Sequence, residues 1–324
     1  MDDVFFYEAF EEEVTSLKNV MDQRIIAGYS WMTIQEKGDE KPPARIISIR
    51  TQSLIPKEWS RNLSGILTRS TGYNHLRQYL KNINHPFPGG YLPLYCNRAV
   101  AEQALLLWMA LLRKLSQQTN KFHRFDRDGL TGKETFKKTL VVVGVGNIGS
   151  EVYKIGEGLG MKVLGVDLIE KFDFVDYTSI DKALPQADII VCAMNLNKLN
   201  VGYFNYDRLK KAPQGVIFIN IARGEMSPSQ DLLRLMNEKH LGGLGMDVYN
   251  KEAELAVALR HQKLNKDEEI KATLQLVKMP NVIFTPHNAF NTIEALNRKS
   301  QQTAQQISAF IHSGKFLWSV PPPE

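Results

Sequence analysis

Cysteine is nearly absent from this chain of 324 residues: Cys96 and Cys192 are the only two. Two thiols cannot build a disulfide framework or a cysteine-based zinc site, and their scarcity fits a reducing compartment. Histidine is also sparse. His75, His85, His123, His240, His261 and His312 show no metal-ligand spacing and read as structural or surface residues, so no metal is expected. Long apolar runs are missing. The longest, residues 104–112, is too short to span a bilayer and reads as a buried helix. The first thirteen residues are acidic and lack a signal-peptide pattern, which points to a cytoplasmic protein. Neither sign of charge dominates, with 40 basic and 35 acidic residues interspersed to a net +5. No basic stretch is interleaved with aromatics as a nucleic-acid binder needs, so neither nucleic acid nor membrane is an expected partner. Repeats are absent, and the one biased segment is a short proline-rich tail at residues 321–323.

What the chain does have is the stretch at residues 140–149, Leu-Val-Val-Val-Gly-Val-Gly-Asn-Ile-Gly. Its apolar start reads as a buried strand. Gly144, Gly146 and Gly149 then have the G-x-G-x-x-G spacing. The first glycine permits a tight turn, the second lets a pyrophosphate approach the backbone, and the third lets helix and strand pack closely. Ile148, Val152, Ile155 and Leu159 follow at helical spacing, so a helix points its N-terminus at the phosphates. Gly160 ends it, a second strand runs over 161–166, and Asp167 closes that strand eighteen residues past Gly149. A carboxylate there accepts hydrogen bonds from ribose hydroxyls and repels an NADP phosphate. A glycine-rich turn in an unrelated protein leaves Asp167 unexplained, so the cofactor expected is NAD.

The length suggests two domains. The first part reads as a small α/β unit with strands at 4–7, 46–49 and 65–68, a further extended piece at 91–95, and a helix over 11–21. It has no glycine fingerprint of its own. A long helix over 98–115 leads to a polar connector at 122–138. From residue 140 strands and helical patterns alternate regularly, with strand ends at Gly144, Asp167, Met194, Asn220, Asp247 and Thr285. That is a doubly wound parallel sheet. Residues 252–278 are longer and more charged than a connection and read as an insertion with a helix. Residues 293–313 form a terminal helix, placed to return to the first unit. The boundaries expected are 1–96 with 293–324 for one domain and 97–292 for the other.

Ligands of open parallel sheets sit beyond the C-terminal strand ends. Three of those ends deliver Arg223, then Asp247 with Glu252 five residues on, then His287. Reduction of a 2-oxo acid by hydride needs a guanidinium to hold the carboxylate, a proton donor for the carbonyl oxygen, and a carboxylate to keep that donor charged. Arg223, His287 and Glu252 match those jobs. Singly, each is more often a surface or loop residue; together, beside the fingerprint, they point to catalysis. Asp247 either bonds the nicotinamide amide or caps the next turn.

These residues carry a resemblance. Gly144-Val145-Gly146-Asn147-Ile148-Gly149, Asn220-Ile221-Ala222-Arg223-Gly224, Gly245-Met246-Asp247-Val248-Tyr249 and Thr285-Pro286-His287-Asn288-Ala289-Phe290 resemble the D-isomer-specific 2-hydroxyacid dehydrogenases, most closely their D-lactate dehydrogenase branch. Arg69-Ser70-Thr71-Gly72 and the residues from Tyr95 to Glu102 extend the likeness into the first part. The resemblance implies an α/β fold in which a Rossmann NAD domain is inserted into a smaller flavodoxin-like catalytic domain. It implies Arg223 as substrate ligand, His287 as proton donor and Glu252 as its partner. On the same footing, Asn147, Ile148, Asp167, Met194, Asn195, Asn200, Ile221, Ala222, Arg223 and Asp247 fall on cofactor-contact positions. Thr71, Gly72 and Tyr95 face the substrate, a small 2-oxo or 2-hydroxy acid, and the enzyme is a homodimer. The chain departs from the family where Ala193-Met194-Asn195 replaces His-x-Pro, where Gly72-Tyr73-Asn74 replaces Gly-x-Asp, and where Glu252 is followed by Ala253. Reduction of phosphoglycerate-type, hydroxypyruvate or glyoxylate substrates is an alternative. So is a non-catalytic NAD-sensing protein. A formate-type dehydrogenase fits less well, because that type has Gln where Glu252 stands.

Overall fold

The computed structural model describes residues 2–261 and 266–322. Two compact units divide the chain, Met1–Cys96 with Asn291–Glu324, and Asn97–Phe290.

The first unit is built on five parallel strands: β1 (Asp2–Phe6), β2 (Ala27–Tyr29), β3 (Ala44–Ile49), β4 (Gly65–Thr68) and β5 (Gly89–Gly90), in the order β2-β1-β3-β4-β5. The apolar runs of β3 and β4 are buried almost throughout, as parallel strands covered on both faces must be. Phe5, Tyr7, Ile47, Trp59, Ile66 and Leu76 form much of the core on one side. β2 has no counterpart in the sequence pattern, being three half-buried residues with a central glycine. The extended piece expected at 91–95 is not a strand. Pairing with β4 stops at Gly90, because the chain turns to the C-terminal tail, where Tyr91 N donates to Trp318 O at 3.1 Å. The terminal helix Ile293–Ser313 belongs to this unit and packs on the helix Glu11–Val20 and on β4. Thr292 caps its start by accepting from Ala295 N at 3.1 Å, and Gly314 ends it in the left-handed region.

The second unit has six parallel strands: β6 (Thr139–Val143), β7 (Lys162–Val166), β8 (Ile189–Cys192), β9 (Val216–Asn220), β10 (Leu241–Met246) and β11 (Val282–Phe284). Their order is β11-β10-β9-β8-β6-β7, and Tyr177 adds an isolated parallel bridge to Gly165 outside β7. The sheet starts at β6, grows one way to β7, and then resumes on the other side at β8. Beyond β6 and β8 lies the switch point where such sheets bind ligands. The helix Asn97–Leu112 packs on the helix Asn147–Gly158 and across β9 and β10. It stops short of the expected residue 115. Lys114 takes a left-handed φ of 53° and a second helix, Leu115–Lys121, begins.

The insertion holds two helices, Glu252–His261 and Glu268–Leu276. The second packs on the helix Ser229–Asn237 and caps it. The Glu269 carboxylate accepts from Ser229 N, and Thr273 Oγ1 donates to Ser229 Oγ at 2.9 Å. Residues 262–265, the His261 side chain and the last proline of the tail lie outside the described residues. Among the described residues no helix is long and apolar enough to cross a membrane, and no cluster of three or more His, Cys, Asp or Glu could hold a metal ion.

Candidate active site

β6 ends in the glycine turn, and the turn opens the helix Asn147–Gly158. Gly144 has φ +91°, and a Cβ there would lie 2.6 Å from the backbone of Met194, the residue that follows β8 closely. Only glycine lets the two strand ends meet. Around Gly146 the opposite holds: it is exposed, and a Cβ would meet nothing within 4 Å. An open cradle at the start of a twelve-residue helix fits a pyrophosphate, which the free N–H groups and the helix dipole favour. Asn147 is exposed and Ile148 half-buried beside it. Asp167 is exposed at the end of β7 and accepts from Val145 N at 2.6 Å and Ile169 N at 3.2 Å. Each carboxylate oxygen has a second lone pair left for a ribose hydroxyl.

Met194 and Asn195 border the loop after β8, half-buried and exposed respectively. Asn200, expected as a cofactor contact, also ties its own loop together. It is buried, its amide N donates to Asn195 O at 2.7 Å, and its amide O accepts from Asn197 N at 2.8 Å. Its side chain therefore shapes the loop.

At the end of β9 a buried amide does the positioning. Asn220 Oδ1 accepts from Ala222 N at 3.0 Å, while Nδ2 donates to Arg223 O at 2.9 Å and to Ser227 Oγ at 2.8 Å. This fixes the turn Ile221-Ala222-Arg223 and presents Arg223 half-buried, its Nη1 donating to Ala222 O at 2.6 Å. Gly224 then lets two strand-end loops touch. A Cβ on it would fall 1.9 Å from the carbonyl carbon of Tyr249.

β10 and β11 supply the rest. His287 Nδ1 donates to Glu252 Oε1 at 2.7 Å, with both side chains about one-third exposed. Among the described residues no hydrogen-bond partner meets His287 Nε2. His287 sits at φ +51°, a conformation that costs a non-glycine residue on the order of 1 kcal/mol. Asp247 holds it there. Its Oδ1 accepts from Thr285 Oγ1 at 2.5 Å and Asn288 N at 2.9 Å, and its Oδ2 from Ala289 N at 2.9 Å. Asp247 thus caps the histidine loop. Burial raises its carboxyl pKa, against the opposing pull of those donors and of His287. Tyr249, also buried, places its hydroxyl 2.7 Å from Thr285 O and 3.1 Å from Met246 O, tying the same loop to β10. Lys251 pairs with Asp267, so the insertion braces the segment that carries Glu252.

In the first unit Thr71 and Gly72 are half-buried after β4, and Thr71 Oγ1 lies 3.5 Å from Cys96 Sγ. Tyr95 is buried, and burial pushes its hydroxyl well above the usual phenol range. Arg69, at the start of the segment that extends the family likeness into this unit, turns inward. It is fully buried, its Nε 2.9 Å from Glu13 Oε1, and Lys299 Nζ lies 2.8 Å from the same oxygen.

Residues 105–289 match the family model described as D-isomer specific 2-hydroxyacid dehydrogenase, NAD binding domain. The chain belongs to the D-isomer-specific 2-hydroxyacid dehydrogenases. Among its relatives is the D-lactate dehydrogenase of Escherichia coli, 31% identical over 67% of this chain and 67% of that protein. The aromatic 2-oxoacid reductase of Clostridium sporogenes is 28% identical over 77% of this chain and 76% of its own. The solved structure of the D-lactate dehydrogenase of Aquifex aeolicus, complexed with NAD and lactic acid, superposes with a TM-score of 0.83. It is 26% identical and covers 99% of this chain and 100% of its own. As a member of this dehydrogenase family the protein is an NAD-dependent oxidoreductase, with a Rossmann domain and NAD as cofactor. Asn220, Gly224, Tyr249 and Thr285 stand in the family motifs, but their part in shaping the strand-end loops was not legible in the sequence. The one signal for Asn220 was a polar residue closing the wholly buried strand Val-Ile-Phe-Ile-Asn.

Proposed function

We propose that this dehydrogenase interconverts a small 2-oxo acid and the D-2-hydroxy acid, with His287 as the proton donor in reduction. The hydrogen bond from His287 to Glu252 at a strand-end rim that also presents Arg223 carries the reading. Bound NADH supplies the hydride that reduces the carbonyl carbon. Asn147, Ile148, Gly146 and Asp167 hold the pyrophosphate and ribose of the cofactor, and Met194, Asn195, Ile221 and Ala222 border it further along the rim. Arg223 binds the substrate carboxylate through two parallel N–H donors. Nδ1–H of His287 stays on Glu252, so the proton that leaves is the one on Nε2, and it goes to the carbonyl oxygen. The ring ends neutral with its orientation unchanged. In oxidation Nε2 takes the hydroxyl proton, and Glu252 stabilises the imidazolium that forms. Thr71, Gly72 and Tyr95 are the substrate contacts of the first unit. We read the enzyme as a cytoplasmic homodimer, which cell fractionation and sedimentation velocity check.

The test is NADH oxidation with pyruvate, 2-oxoisocaproate, phenylpyruvate, 2-oxoglutarate, glyoxylate and hydroxypyruvate, followed by chiral analysis of the product. Consumption of NADH with a D product is expected for at least one acid. Absence of turnover with all of them, alongside tight NADH binding, favours the NAD-sensing alternative.

A further inference from the structure

The histidine loop hangs on Thr285. β11 ends at Phe284, and Thr285 N donates to Met246 O at 2.9 Å, one residue past the last strand pair. His287 N then donates back to Thr285 O at 2.9 Å across Pro286, so the histidine follows a three-residue turn. The same carbonyl accepts from the Tyr249 hydroxyl, which fills its second lone pair. The Thr285 side chain is held from another element. The helix Asn97–Leu112 packs on β11 as well as on β9 and β10, and its half-buried Gln103 places Nε2 3.3 Å from Thr285 Oγ1.

The hydrogens along this chain run one way. An amide nitrogen donates and cannot accept, so Thr285 Oγ1 accepts from Gln103. Its single hydrogen goes to Asp247 Oδ1, and the carboxylate takes it together with the N–H groups of Asn288 and Ala289. With the Gln103 amide reversed, two acceptors would compete for that one hydrogen, so the orientation found is the one that satisfies both. Asn288 and Ala289 directly follow His287 at its left-handed φ of 51°. The order of bonds is therefore helix to threonine, threonine to aspartate, aspartate to the loop that carries the ring.

We propose that Gln103 is a positioning residue for His287: it directs the Thr285 hydroxyl hydrogen to Asp247 and so holds the histidine loop in the geometry that proton transfer requires. The inference rests on the reading of His287 as proton donor. Val145 N bonding to Asp167 holds the glycine turn, and Asn220 holds the Arg223 turn, so loss of the Gln103 bond falls on kcat and leaves KM in place.

The experiment measures kcat and KM with NADH and the 2-oxo acid of the panel that turns over fastest, with Tm by calorimetry. Gln103→Met keeps the length and loses the donor; kcat should fall roughly three- to tenfold, with both KM values within about twofold of wild type and Tm little changed. Gln103→Glu puts an acceptor where the donor stood and draws the hydroxyl hydrogen away from Asp247, so kcat should fall further, roughly ten- to a hundredfold. Thr285→Ser should keep most of the activity and Thr285→Val should lose it, because only serine continues the chain of hydroxyl bonds. Wild-type kcat in Gln103→Met overturns the proposal even where Gln103→Glu does not fold, as does a Thr285→Val enzyme as active as Thr285→Ser. Loss of NADH affinity in step with kcat marks general loosening and overturns it too. Should His287→Asn keep its activity, the proton-donor reading falls as well; should His287→Asn be inactive while the Gln103 variants turn over normally, this inference alone falls.

Discussion

Each unit of this protein places an acid against a base, and the two pairs do different work. In the first unit Glu13 faces Arg69 and Lys299, all three side chains at most 4% exposed. In the second Glu252 faces His287, both about one-third exposed. The oxygen-to-nitrogen distances barely differ. Burial separates them. Out of water, Glu13 cannot release its cations without leaving charges stranded, so the cluster locks the helix Glu11–Val20, β4 and the terminal helix together. The rim pair stays open to water, and Asp247 and Tyr249 hold the loop that carries His287. Burial makes the first pair structural, and exposure leaves the second open to a ligand.

That contrast can be broken most forcefully at His287. His287→Asn keeps a residue that tolerates the left-handed backbone and removes the proton donor. It should lower kcat by roughly 10³- to 10⁴-fold with little change in Tm, measured by NADH oxidation and calorimetry. An enzyme that keeps a tenth of its activity would take the proton-donor role from His287. Glu13→Gln should show the reverse pattern, losing about 3–5 kcal/mol of stability in urea unfolding, because two buried cations lose their anion. Burial by itself raises the Glu13 carboxyl, but Arg69 and Lys299 outweigh it and hold the group at about 2. A depressed acid stabilises the fold above its unfolded value of 4.5, and that contribution is lost as pH falls from there through about 2. The variant should therefore lack this part of the acid limb of the stability profile; an unchanged limb would show that Glu13 is not its source. The smallest effect is expected at Glu252→Gln, roughly tenfold in kcat with KM and Tm little changed, because the ring loses the carboxylate that accepts from Nδ1. Full activity in that variant would remove Glu252 from the reaction.

Much of the second unit was legible in the chain. Its strands are covered on both faces, so they read as unbroken apolar runs such as Val216–Asn220, and each stops within about two residues of the expected place. The first unit was harder. β2 is too short and too glycine-rich to show a period, and residues 91–95 looked extended but form no strand, Tyr91 N bonding to Trp318 O in the tail and Leu92 N to Ser70 O. The meeting of Glu252 with His287 was anticipated from their strand ends. The loop bonds of Asn200 and Asp247 and the burial of Arg69 were not legible, because a polar residue after a strand looks the same in sequence whether it turns to ligand, to its own loop or to the core.

The sequence by itself determined the glycine turn, the acid at the end of the next strand, the alternation of strands and helices, and hence the Rossmann domain and its nucleotide. These follow from local sterics and from periodicity, which a linear pattern records. Tertiary structure alone decided which cation is buried and which is offered, that Asp247 holds a loop while Asp167 lies open, and that Gly224 is needed because another backbone passes over it. Burial and approach are set by residues distant in the chain, and no spacing along it encodes them.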